Sequence, residues 1–217
     1  MKKITLTFCA ATMLLLACNN GGGDDKAKTD STGTTVSEVK KDAPPATLPD
    51  SATMMKNWQS YMTPGEMQTM MASWNGTWDA DITMWEPGKP EQKSKGTTVN
   101  KMVMGGRYQE SIHTSTMMGM PFEGHGTLGY DNAKKVFESV WIDNMGSGVT
   151  KMTGPWDAAT KSVTLLGKMI DPSTLKEIDH KETFKVIDDN TQQIAMYGPG
   201  PDGKEFKMME IKFTRKK

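Results

Sequence analysis

From Gly76 onward, apolar and polar residues alternate, and a period of two marks strands whose side chains point to opposite faces. Trp78, Ala80, Ile82 and Met84 take one phase, while Thr77, Asp79, Asp81 and Thr83 take the other. Turn-forming residues then recur along the chain. They are Pro87-Gly88, Gly105-Gly106, Gly119 with Pro121, Asp131-Asn132, Asn144 to Gly148, Asp157, Asp171-Pro172, Asp188 to Asn190, and Pro199 to Gly203. The spacing predicts about ten short strands, and short strands joined by polar turns form antiparallel sandwiches or barrels. No alternating strand–helix pattern is present, which argues against a parallel sheet. Asp131-Asn132 and Asp189-Asn190 suit tight hairpins. Gly105-Gly106 and Gly129 suit places that need positive φ or close backbone approach.

Before Gly76 the period lengthens. Asp50 or Ser51 is expected to cap a helix running to about Tyr61. Thr63-Pro64-Gly65-Glu66 then has a capping-box arrangement, with Thr63 as N-cap and Pro64 at the first helical position. Met67, Met70, Met71 and Trp74 follow at spacings of three and four, which makes one apolar helical face. The two helices span 51–75, and this apolar face is expected to pack on the β-domain (76–217) as a plug or lid.

The segment 18–50 is glycine-rich near Gly21-Gly22-Gly23, then rich in Lys, Thr and Ser, and ends in Pro44-Pro45 and Pro49. Such a segment buries too little apolar surface to offset its ordering entropy and reads as a tether. As a coil it would reach roughly 30 Å. Residues 1–17 read as a signal peptide, with Lys2 and Lys3 followed by an apolar run from Ile4 to Leu16 that is too short to span a bilayer. The run ends in Leu15-Leu16-Ala17-Cys18, which resembles the bacterial lipobox and implies lipidation of Cys18. Asn19 after that Cys matches outer-membrane sorting by resemblance to the proteobacterial rule. Asp24-Asp25 resembles the acidic export signals of some surface lipoproteins. The expected location is therefore the cell envelope, with the domain lipid-anchored and facing the periplasm or the surface. The membrane is a partner through the N-terminal lipid.

Composition sharpens this picture. Of 26 basic residues, Lys2 and Lys3 leave with the leader, so 24 face 26 acidic residues in the mature chain, a net charge of −2. That balance gives no reason to bind nucleic acid. Cysteine occurs twice, at Cys9 in the leader and at Cys18. The folded part therefore has no thiol, no disulfide and no Cys-based zinc site.

A further set of motifs resembles the DUF1579 family of uncharacterised bacterial proteins. It comprises Gly76-Thr77-Trp78, Gly105-Gly106-Arg107-Tyr108, Pro121-Phe122-Glu123-Gly124, Gly129-Tyr130-Asp131, Trp141-Ile142-Asp143, Gly154-Pro155-Trp156-Asp157 and Phe213-Thr214-Arg215. The resemblance spans about residues 63–217. It implies an all-β, antiparallel lipocalin-like β-barrel of about ten strands with short N-terminal helices, and it implies no activity. It also implies a cation–π contact between Arg215 and Trp78.

Candidate chemistry is sparse. No nucleophile elbow, P-loop, zinc-protease or dinucleotide motif occurs, so the expected function is non-enzymatic and without a cofactor. Glu110 lies in phase with Tyr108 and Ile112, Glu138 with Val140 and Ile142, and Glu182 with His180 and Phe184. The lumen candidates are therefore Trp78, Tyr108, Glu110, Glu138, Trp141, His180 and Glu182. Glu138 and Trp141 stand in opposite phases of one strand, which leaves that strand's direction open. Methionine is frequent, at 20 residues. His113 with Met117, Met118 and Met120 forms a weak candidate for a soft metal such as Cu(I). The readings carried forward are a carrier of a small apolar or amphipathic ligand, a structural or interaction module of the envelope, a soft-metal site and, last, a hydrolase.

Overall fold

The computed structural model describes residues 47–217. The expected signal peptide, Cys18 and most of the expected tether lie outside them. Two helices come first, α1 (Ser51–Met62) and α2 (Glu66–Ser73). Eleven strands follow: β1 (Gly76–Met84), β2 (Gln92–Val103), β3 (Tyr108–Met117), β4 (Met120–Asp131), β5 (Val136–Asp143), β6 (Thr150–Gly154), β7 (Trp156–Asp157), β8 (Ser162–Asp171), β9 (Lys176–Asp188), β10 (Thr191–Pro199) and β11 (Glu205–Arg215).

Every neighbouring pair is antiparallel. β1 pairs with both β2 and β11, and β6 pairs with β8, so the sheet closes on itself. The result is a ten-strand up-and-down barrel, with the two-residue β7 as an extra strand on β8. Closure removes the exposed edges that an open sheet would present.

One end of the barrel is shut. Met71 on α2 and Trp74 just after it are buried against Phe137, Met152, Val163 and Leu165. Each such side chain contributes about 1.5–3 kcal/mol when fully removed from water. Trp74 stacks edge-on to Phe184 with ring centroids 4.8 Å apart. Thus α2 is a plug. By contrast, α1 buries none of its residues. Its N-cap is Asp50, whose carboxylate accepts from the Thr53 amide at 3.0 Å. The cap of α2 differs from expectation. Thr63 closes α1, and Gly65 is the N-cap of α2. The Gly65 amide donates to Gln68 Oε1 at 2.8 Å, so Gln68 rather than Glu66 satisfies that amide.

The C-terminal strand locks the same end. The Arg215 guanidinium sits 4.1 Å from the centre of the Trp78 ring, as the resemblance implied. It also donates to the carbonyls of Asn75 at 2.6 Å and Ser73 at 2.8 Å, tying β11 to the turn after the plug. Gly105 and Gly106 reverse the chain between β2 and β3 with φ of 66° and 79°. Gly129 lies inside β4, where the Tyr108 ring covers it. The turn at Asp131-Asn132 runs on to Lys135, which carries the positive φ of 60°.

Candidate functional site

Inside the barrel is a cavity of about 710 Å³, which falls in the usual range for small-molecule sites. It begins above Trp74 and opens between the β1–β2, β3–β4, β8–β9 and β10–β11 connections, where Trp85, Pro87, Met118, Pro172 and Pro199 form the rim. The lining comes in three tiers. Aromatic side chains (Trp74, Phe184) form the floor. A polar belt stands at mid-height. Methionines such as Met84, Met117, Met169 and Met208 surround the upper lumen and mouth. Methionine suits that last position because its flexible thioether adapts to irregular shapes.

Alternation sets the polar belt. On β3 the inward residues are Gln109, Ser111, His113 and Ser115, and on the neighbouring β2 they include Thr98 and Asn100. Thr98 Oγ1 lies 2.7 Å from His113 Nδ1. On β9 the inward residues are Ile178, His180, Glu182 and Phe184. β3 and β9 stand five places apart in the ten-strand ring, so these two polar sets face each other across the lumen.

The buried environment disfavours charge. Burial pushes the imidazoles of His113 and His180 below their ordinary values, and for His180 a Tyr197 backbone contact opposes the shift in part. The Glu182 carboxyl is pushed up to about 7 by burial alone, with neither a cation nor a hydrogen bond to hold it ionised. Its remaining accessible surface opens into the lumen. Across the strands its neighbours are Leu165 and Met196. Three polar atoms in this lining, Asn100 Oδ1, Ser115 Oγ and His180 Nδ1, are buried without a protein partner. Buried polar atoms are normally satisfied, so this lining is built to meet polar groups of a guest or water.

An aromatic plate forms one wall. Trp141 on β5 lies flat across Gly124 and Gly126 of β4, and its Nε1–H donates to Asp143 Oδ2 at 2.9 Å. A Cβ at Gly124 would run into the indole, so the ring reaches this position only because the residue is glycine.

Of the lumen candidates, His180, Glu182 and Trp141 face the cavity. Trp78 points inward and is buried, but it packs with Ala80, Ile82, Ile211 and Phe213 and does not line the cavity. Three expectations are corrected. Tyr108 and Glu110 lie on the outer face, because β3 turns Gln109, Ser111 and His113 inward. Glu138 also lies outside, where its carboxylate accepts from Lys134 Nζ at 2.6 Å, because β5 turns Phe137, Ser139 and Trp141 inward. The soft-metal set does not converge either. His113 and Met117 are four residues apart on one strand, about 13 Å, and Met118 and Met120 are largely exposed at the hairpin. Among the described residues, no group of three or more His, Cys, Asp or Glu is placed to hold a metal ion.

Alternation alone did not single out Gln109, Ser111, Ser115, Thr98 or Gln192 as lumen residues. The available signal was glycine at period two, Gly124 and Gly126, which marks the face on which a large ring must lie.

Comparison with known proteins supports the architecture. A family model described as a protein of unknown function (DUF1579) matches residues 63–215. None of the curated proteins matches this chain. Among solved structures, the chain is similar to Rv2717c from M. tuberculosis, at 12% identity over 71% of this chain and 100% of that one, with a TM-score of 0.56. It is also similar to the S-type phycobiliprotein lyase CPES from Guillardia theta, at 8% identity over 70% and 94% of the two chains, with a TM-score of 0.48. The likeness to Rv2717c, at a TM-score of 0.56, shows a shared fold, and at 12% identity it carries no activity across.

Proposed function

The chain belongs to the DUF1579 family, and from that premise we propose that it is a non-enzymatic, lipid-anchored binding protein of the cell envelope. Its barrel takes a small apolar or amphipathic molecule. The observation that carries this reading is the cavity itself, about 710 Å³, closed below by Trp74 and open above. Its walls are mostly apolar, with a few buried polar atoms left without partners. That combination favours a guest with a large apolar body and a small polar part. A structural module would need a lumen filled by its own side chains, and this one is open.

The anchor is argued from the Leu15-Leu16-Ala17-Cys18 sequence and the tether after it. Several acyl chains, at about 0.8 kcal/mol per buried CH₂, hold a protein to a bilayer stably.

Both parts are open to direct measurement. Organic extraction of natively purified protein, followed by mass spectrometry, should recover a specific apolar compound. The yield should fall when Ser139→Phe fills the lumen beside Leu128 and Met152. Recovery of nothing, together with no uptake of an apolar fluorescent dye such as N-phenyl-1-naphthylamine, would remove the carrier reading. Mass spectrometry of the mature N-terminus should find Cys18 as the first residue, bearing acyl chains. An unmodified or absent Cys18 would remove the anchor.

A further inference from the structure

The lining of the cavity is unbalanced in charge. The chain has 26 Lys and Arg residues, yet among the described residues neither type lines the lumen. Four carboxylates do: Glu86, Asp143, Asp171 and Glu182. Three of these are already engaged. Glu86 pairs with Lys89 and accepts from Gln92. Asp143 accepts from Trp141 Nε1 and from the Met145 amide, each at 2.9 Å. Asp171 accepts from Ser173 and Thr174 in its turn. A cation near the mouth, Lys207, is held by Glu210 and by the face of Trp85, 4.4 Å from its ring centre. Of the four, Glu182 alone sits deep and faces the cavity without a partner among the described residues.

We propose that the guest is an amphipathic ammonium ion, an amine or quaternary ammonium on an apolar body, whose cation sits against the carboxyl of Glu182. The proposal rests on the carrier reading and narrows its ligand class. An anionic amphiphile such as a fatty acid would find no Lys or Arg in the lumen and would bring its carboxylate towards that of Glu182. A cation supplies the missing partner, since a buried charge is tolerated when it is paired. The rest of the lumen suits the same guest. The Trp141 plate and the rings of Phe184 and Trp74 offer faces that attract cations. Burial disfavours the charged forms of His113 and His180, so neither is a good source of positive charge to oppose one. Burial holds the empty Glu182 carboxyl at about 7, so entry of a cation would exchange with its proton.

Calorimetric titration of the purified full chain with three ligands of one chain length tests this: decyltrimethylammonium, decanol and decanoate. The ammonium should bind at least about tenfold more tightly than the alcohol, a difference of about 1.4 kcal/mol. Decanoate should bind most weakly. Glu182→Gln should remove the preference for the ammonium and leave binding of the alcohol within about twofold. The alcohol arm also reports that the variant barrel is intact. Equal binding of the three head groups, or tighter binding of decanoate, overturns the proposal while the carrier reading stands. No binding by any of them overturns both.

Discussion

Glu182 is an ordinary residue in sequence and an unusual one in place. Its carboxyl stays protonated in the folded chain until the pH approaches about 7, whereas an unfolded carboxyl ionises near 4.5. Between those values the folded state holds a proton that the unfolded state has lost, so stability falls as pH rises. The effect is absent below about 4.5 and complete above about 7. At about 1.36 kcal/mol per pH unit, it amounts to as much as about 3 kcal/mol. His180, two residues along the same face of β9, is also buried, and burial holds its imidazole below its ordinary value. Glu182→Gln should therefore be more stable than the parent chain at pH 8, with the advantage shrinking towards pH 5. Denaturant titrations at several pH values measure this, and an advantage that stays constant with pH would show that the carboxyl ionises freely.

At the level of elements, the strands were legible and their directions were only partly so. In β1 the alternation of Trp78, Ala80 and Ile82 with Thr77, Asp79 and Asp81 gives the inward face at once, because that stretch of wall packs on other side chains. In β5 the pattern leaves the direction open, and in β3 it misleads. The inward positions of β3 are Gln109, Ser111 and His113, while Tyr108 and Ile112 stand 42% and 43% exposed outside. A barrel that keeps an open, partly polar lumen does not need its inner face to be the more apolar one, so the usual inference from hydrophobicity to burial loses its sign. The inward placement of Glu182 and His180 is legible because Phe184 and Ile178 share their phase. The helices divide in the same way. The spacing of Met67, Met71 and Trp74 identifies the plug, whereas α1 carries Trp58 and Tyr61 and buries neither. What holds α1 is Asn132, whose Nδ2–H donates to the carbonyls of Tyr61 at 3.1 Å and Thr63 at 2.9 Å. Asn132→Ala should therefore raise amide exchange across Ser51–Met62 without changing protection in the barrel strands. Loss of barrel protection as well would show that α1 contributes to the fold itself.

For the whole molecule, the question is where a closed barrel yields. The first and last strands meet over seven pairs, from Trp78↔Arg215 to Met84↔Met209, and Arg215 clamps that junction to the plug. Closure at the other side of the ring is much thinner. β6 has five residues and meets β8 through three pairs, Lys151↔Lys168, Met152↔Gly167 and Thr153↔Leu166. The first of these sets two lysines directly opposite each other, a like-charge pair that disfavours pairing and that Glu177 offsets in part by accepting from Lys168 Nζ at 2.8 Å. The weak seam is thus β6–β8, although the first and last strands meet elsewhere. Two side chains beside it, Met152 and Leu165, also line the cavity, so seam and cavity share a surface. Native-state hydrogen exchange should show the fastest barrel opening at Lys151–Thr153 and Leu166–Lys168 and the slowest along β1 and β11. A guest that binds only the closed barrel stabilises it by about 2.7 kcal/mol at a hundredfold excess over its dissociation constant. If the seam opens before the rest, saturating ligand should slow exchange there first. Exchange that is uniform around the ring, or seam protection that ignores a bound guest, would mean that the barrel opens as one unit and that the β6–β8 contact has no special part in admitting ligand.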